Sequence, residues 1–290
     1  MLFGEHTVIQ GSQALATPLW RFGGTWQEAP DGSARQYDLP TFLLFLKKLK
    51  NEEKIELDTE GVERALEKGF FFNSNIPNGY GAGSSGALVA ALFAHFNATQ
   101  LTDYQSDTLI KLRKTFGIIE GYFHGSSSGF DPLVSYLRKP VWVQRDQKIQ
   151  VLEALKTDLT LFLLDTHTPR KAEPIIKIFQ EKLLNAPYKS GVINDLVPRV
   201  DDAIAAFLAQ QSQILFEAVH HISLFQQRFF PESVPLSFQN IWLEGLRSDT
   251  FKLKLCGAGG GGFILGFSRD WQLTKKILSK SGFSAIQITL

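Results

Sequence analysis

Pro77-Asn78-Gly79-Tyr80-Gly81-Ala82-Gly83-Ser84-Ser85-Gly86-Ala87 is the stretch on which the reading of this chain turns. From Gly79 to Gly86 every residue except Tyr80 is small, and the run flows into an apolar segment, Ala87 to Phe96, that reads as a helix. Small residues let backbone N–H groups come close to an anion, and the N-terminus of the following helix adds a favourable dipole. A tight turn that keeps glycine for packing is the plainer alternative. Two familiar phosphate motifs fit poorly. A P-loop needs Lys and then Ser or Thr after its last glycine, and here Ala87 follows Gly86. Gly81-x-Gly83-x-x-Gly86 matches the dinucleotide pattern, with Asp103 downstream. That pattern needs Asp103 at the end of a second strand, and Asn97 to Asp107 is polar and turn-like.

Downstream, Leu109, Leu112, Phe116, Ile119 and Phe123 recur at steps of three and four, which predicts a helix over about 106–123 with one buried stripe. Glu120 lies off that stripe, and Asp131 follows the small-residue loop Gly125 to Phe130. Two carboxylates near a phosphate loop suit Mg²⁺ ligation and proton abstraction. The plainer readings are a solvated helix face for Glu120 and a helix cap before Pro132 for Asp131. Gly125-x-Ser127-x-Gly129 matches a hydrolase nucleophile elbow, but that elbow needs a preceding strand, and the period here is helical. A third loop, Gly257-Ala258-Gly259-Gly260-Gly261-Gly262, separates two apolar strands near 251–255 and 263–267. Four consecutive glycines cost backbone entropy, and such a loop persists where a ligand or another backbone comes very close. A flexible hairpin connection is the alternative. His124, four residues after Glu120, could share a metal with it, though two ligands are weak evidence. His95, His167, His220 and His221 show no suggestive spacing.

The flanks add strands and helices. Met1 to Phe3 and Thr7 to Ile9 read as parts of one strand, broken by Gly4-Glu5-His6. Strands are expected near 141–151 and 159–165, and helices near 42–49, 172–184 and, in pieces, 200–229. Composition agrees with a globular protein: 290 residues, 44% apolar and 20% charged, which suits one large domain or two ordinary ones. Thirty basic against 29 acidic residues show no excess of the kind nucleic-acid partners select. No run approaches the roughly 20 apolar residues of a membrane span, and the opening residues do not read as a secretory signal. The single cysteine, Cys256, leaves no intrachain disulfide or Cys-cluster metal site and predicts a reducing, cytoplasmic setting.

Taken in order, these segments resemble the GHMP kinase superfamily. Gly4 to Gly11 looks like its first motif, 77–87 like its ATP-phosphate loop, and His124 to Asp131 like its HG-x-x-SG-x-D segment. Leu161 to Arg170 and Gly257 to Gly262 resemble its mid-chain segment and third motif. Gly86 stands where an alanine is common. The resemblance implies an α/β fold of two domains, a ribosomal protein S5 domain 2-like ATP-binding domain (1–153) and a ferredoxin-like domain (154–290). It also implies ATP and Mg²⁺ as cofactors, with Ser85 and Glu120 as metal ligands and Asp131 as the base. Gly79, Gly81, Ala82, Gly83, Ser84 and Ser85 would wrap the ATP phosphates, with Gly257, Ala258, Gly259 and Gly260 closing on them. Glu5, His6, Asp131 and Gly259 would meet the acceptor, a small-molecule alcohol. Within the superfamily the first motif is most like that of mevalonate kinases, which makes mevalonate the expected acceptor. The alternatives are phosphomevalonate, a sugar, or a degenerate member that binds nucleotide without turnover. No nucleic-acid or membrane partner is implied, and a homodimer is compatible. The superfamily places a lysine a few residues before the position of Gly4, and alignment of the first motif puts it ahead of Met1. A missing cation there would raise the Asp131 pKa and weaken transfer.

Overall fold

Ala14–Ala16 forms the first strand, β1, and all three residues are buried. Successive strand residues point to opposite faces, so so short a strand can serve two cores only by splitting its side chains between them. It does so. Leu15 packs into a cluster otherwise built from Leu2, Phe3 and residues 155–278. Ala14 and Ala16 pack into a second cluster, built from residues 39–149. The computed structural model describes residues 1–29, 36–97, 101, 103–125, 127–169 and 172–290, without the side chains of His124, Ala172 and Glu173.

After β1 come Gly24–Glu28 (β2), Leu39–Asn51 (α1), Thr59–Glu67 (α2), Phe70–Ser74 (β3), Ser84–Phe96 (α3), Ser106–His124 (α4), Phe130–Leu137 (α5), Val141–Val143 (β4) and Ile149–Val151 (β5). Asp38 and Asp58 cap α1 and α2 through the amides of Thr41 and Gly61, as residues that satisfy orphan first-turn donors should. β2 pairs antiparallel with β3, and β1, β4 and β5 form a second antiparallel sheet. α3 is apolar nearly all round and is accordingly central, with Leu88, Val89, Leu92, Phe93 and Phe96 buried. Leu109, Phe116 and Ile119 of the predicted stripe on α4 are fully buried.

The remainder contains Thr160–Asp165 (β6), Ala172–Lys182 (α6), Ala186–Gly191 (α7), a π turn over 192–196, Val197–Leu208 (α8), Ser212–Phe229 (α9), Gln239–Arg247 (α10), Phe251–Leu255 (β7), Phe263–Ser268 (β8), Trp271–Lys280 (α11) and Ala285–Gln287 (β9). Its four strands lie in the order β7-β8-β6-β9, all antiparallel. With helices between β6 and β7 and between β8 and β9, this is the βαββαβ pattern of ferredoxin-like domains. Together the halves give the mixed α/β fold expected. No strand pair among the described residues is parallel, which excludes the dinucleotide fold that Gly81, Gly83 and Gly86 suggested.

One expectation is overturned. Thr7 to Ile9 does not continue a strand, because Val8–Gln10 is a 3₁₀ turn closed by Gly11 in the left-handed region. The β-branched run is recruited by the turn after Gly4, and only Phe3 bridges to Leu15. Because Leu15 is fully buried in the 155–278 cluster, Leu15→Ala should cost about 2–5 kcal/mol. The urea midpoint reads this, and a loss well below about 1 kcal/mol would remove β1 from that core.

Candidate active site

Gly79, Gly81 and Gly83 all take left-handed backbone angles, with φ of 75°, 68° and 76°. Alternating such residues with ordinary ones turns successive N–H groups inward and makes an anion-binding concavity. Gly83 is the N-cap of α3 and supplies no side-chain cap, so the first turn of α3 presents its donors to the same space. The loop is held from outside. Asn78 Oδ1 accepts from Gln36 Nε2 at 2.7 Å, and Ala82 and Tyr80 pack against the 155–278 cluster.

Ser85 and Glu120 meet directly. Ser85 Oγ donates to Glu120 Oε1 at 2.8 Å, and Ser127 Oγ donates to Glu120 Oε2. Ser127 Oγ in turn accepts from the Gly129 amide at 3.0 Å. Glu120 is only 5% exposed, which rules out the solvated helix face. Burial first, and the Asp131 charge second, push its carboxyl up to about 7 against the two serine hydrogen bonds. Asp131 sits in the first turn of α5, after Gly129, and is partly exposed. Its position depends on Gly86. A Cβ there would stand 2.9 Å from Pro132 N and 3.1 Å from Asp131 Cβ. Helices α3 and α5 thus approach more closely than alanine allows, which explains glycine at a place where alanine is common.

The third glycine loop closes over the first. Phe263 N donates to Tyr80 O at 3.1 Å, and the two rings meet edge to face at 5.2 Å. A Cβ on Gly262 (φ +71°) would lie 2.5 Å from Tyr80 O, so only glycine permits this contact. Gly260 N donates to Ser233 O at 2.6 Å and Gly262 N to Thr168 O at 2.9 Å, so the loop is tied and is not a loose hairpin. Gly257, Ala258, Gly259 and Gly260 lie in it, and Ala258 O accepts from His6 Nε2 at 3.0 Å. The His6 ring stacks near Phe179 at 4.6 Å and Phe230 at 5.3 Å. Glu5 is buried and pairs with Lys254 at 2.6 Å.

Two groupings therefore form: Ser85, Glu120 and Asp131 beside the 79–84 loop, and His6 with Ala258. Sequence reasoning missed Lys254 and the service of Ser127 to Glu120. Ser127 is no nucleophile, since α4 precedes it and its hydroxyl is spent on Glu120. Both lysines of Phe251–Leu255 are buried. Lys252 donates to the carbonyls of Gly245 and Leu246 at 3.0 and 3.2 Å and closes the end of α10, away from both groupings. Arg170, the end of the mid-chain motif, and the side chain of His124 lie outside the described residues. Among the described residues no cluster of three or more His, Cys, Asp or Glu could hold a metal, and no helix is long and apolar enough to cross a membrane.

Comparison with known proteins agrees with this arrangement. The model of the GHMP kinases N-terminal domain matches residues 42–139, the span that holds the 79–86 loop, Glu120 and Asp131. The mevalonate kinase of Archaeoglobus fulgidus is 23% identical over 283 residues, covering 92% of this chain and 88% of its own. The structure of L. major mevalonate kinase in complex with R-mevalonate is similar with a TM-score of 0.65 at 16% identity, over 99% of this chain and 93% of that one. Streptococcus pneumoniae phosphomevalonate kinase in complex with phosphomevalonate and AMPPNP has a TM-score of 0.66 at 14% identity, over 99% and 97%. Residues 42–139 thus match the GHMP kinases N-terminal domain, and over nearly its whole length the chain shares the fold of the mevalonate and phosphomevalonate kinase structures.

Proposed function

We propose that the protein transfers the γ-phosphoryl group of ATP to the hydroxyl of a small alcohol, and that the alcohol is mevalonate. The carrying observation is the pair of carboxylates, Glu120 and Asp131, set beside a glycine loop at a helix N-terminus. The mevalonate kinase relatives support the choice of acceptor.

The donor set fits Mg²⁺. A hydroxyl and a carboxylate oxygen, Ser85 Oγ and Glu120 Oε1, converge at 2.8 Å, and hard oxygen ligands with room for water suit this ion. Among the described residues, the groups that shift the buried Glu120 carboxyl are Asp131, Ser127 and Ser85, with no cation among them. Mg²⁺ held there would neutralise charge on the transferring phosphate. In this reading the N–H groups of 79–85 bind the ATP phosphates, and the 257–260 segment closes over them. Asp131 takes the proton of the acceptor hydroxyl as its oxygen bonds to the γ-phosphorus and the bond to ADP breaks. Catalysis is then positioning plus electrostatics, with little covalent work for the chain.

Asp131→Asn should lower kcat by at least about 10²-fold while ATP binding stays within about twofold. Mass-spectrometric product detection from Mg-ATP with mevalonate, phosphomevalonate, galactose and homoserine measures this, and full turnover by the variant would remove Asp131 from the base role. Stability gives a second check. Because the folded carboxyl of Glu120 is raised to about 7, the folded state holds a proton that the unfolded chain releases near its ordinary value. Stability is therefore lost as pH rises through this window, by on the order of a few kcal/mol in the absence of divalent cations. Glu120→Gln should remove that slope, so its Tm gain over the unmodified chain grows from pH 5 to pH 8. An equal Tm difference at both pH values would contradict the raised pKa.

A further inference from the structure

We propose that Glu5 and Lys254 are a positioning pair that sets His6 and the 257–262 loop around the acceptor, and that Glu5 acts through Lys254 without touching substrate. The inference rests on the phosphotransfer reading above and gives Glu5 a different part in it from the substrate contact its motif implies. Lys254 Nζ donates to Glu5 Oε1 at 2.6 Å and to Leu255 O at 2.6 Å. The two side chains are 1% and 4% exposed, so the Glu5 carboxylate has almost no surface to offer a ligand. The ammonium also stands 5.5 Å over the Phe3 ring.

Stability alone does not account for such a pair. Two charges withdrawn from water lose hydration that their attraction barely returns, and apolar replacements are often as stable. What the pair does provide is a fixed geometry between segments 249 positions apart, the turn after Gly4 and the strand that feeds the third glycine loop. The next residue, His6, has φ +63°, an angle costly for a residue with a Cβ and kept only where surroundings over-determine it. Its ring is fixed by Phe179, Phe230 and the carbonyl of Ala258, four residues beyond Lys254. Ion pair and imidazole bond thus join the same two segments at two points, and two points are needed to fix both distance and rotation.

The test is a double-mutant cycle of Glu5→Met, Lys254→Met and both together, with mevalonate as the acceptor probe. Each single change leaves a buried charge unpaired and should lower Tm by on the order of 10 °C, while the apolar double recovers most of the loss. Each single change should raise the acceptor KM roughly tenfold, with a smaller change in kcat, and the double no further than either single. The Kd for ATP should stay within about twofold. Additive KM effects would mean that Glu5 meets the substrate itself, and an unchanged KM in the folded double would mean that the pair positions nothing. Either result overturns the proposal. Hydrogen exchange of the 257–262 amides reads positioning without turnover, and the double should exchange roughly tenfold faster there. Protection equal to that of the unmodified chain would also overturn the proposal. Absence of turnover by the unmodified chain on every alcohol would overturn the phosphotransfer reading and leave the exchange result to decide the pair.

Discussion

Burying Glu120 beside Asp131 sets two negative charges against each other where water screens them poorly. Much of the surrounding structure offsets that repulsion. Ser85 and Ser127 each give a hydroxyl to one Glu120 oxygen, which holds the carboxylate in one orientation. The loop that carries Ser127 is fixed in turn by the Gly129 amide. Gly86 lets α3 and α5 approach until Asp131 stands beside the start of α3. Hydroxyls share the charge without cancelling it, and in the proposed reading a bound cation would complete the balance. Such a site is costly while empty and favourable when filled, which is how ligand binding adds to the stability of a fold.

The parts legible from sequence were those with a local cause. The α4 stripe and the strands near 159–165, 251–255 and 263–267 follow from hydrophobic period, and each helix or strand lies where the period places it. The glycine loops were legible because runs of small residues have few other uses. Distant partners were not legible. Glu120 looked like a solvated glutamate because it lies off the apolar stripe of its helix. It is buried by Ser85, 35 positions away, and by the loop before Asp131. Lys252 and Lys254 carried no assignable role in the sequence for the same reason. Both are buried because a helix end and a distant glutamate supply partners that no short window contains. Thr7 to Ile9 failed in the opposite direction, since strand propensity there yields to the turn that Gly4 begins.

The three glycine-bearing segments also differ in what holds them. The 79–84 loop is half-buried and takes its shape from its own left-handed angles, with Tyr80 and Ala82 packed on the 155–278 cluster. The 257–262 loop is anchored to Ser233, Thr168 and Tyr80, which lie in three separate stretches of chain. A contact such as Phe263 N to Tyr80 O then couples the two loops, so that neither can shift far alone. Coupling of this kind suits a reaction in which two ligands must be brought in line before any bond changes.

The two-faced strand β1 has a consequence for how the chain is made. Leu2, Phe3 and Leu15 leave the ribosome long before the residues, as late as Leu278, that complete the cluster burying them. At ordinary elongation rates these side chains wait on the order of tens of seconds for their partners. The 39–149 cluster can form during that interval around Ala14 and Ala16, which would leave the opposite face of the strand apolar and uncovered. The nascent chain is therefore most exposed to mispairing after its first core has closed, at the segment that carries Leu2, Phe3 and Leu15.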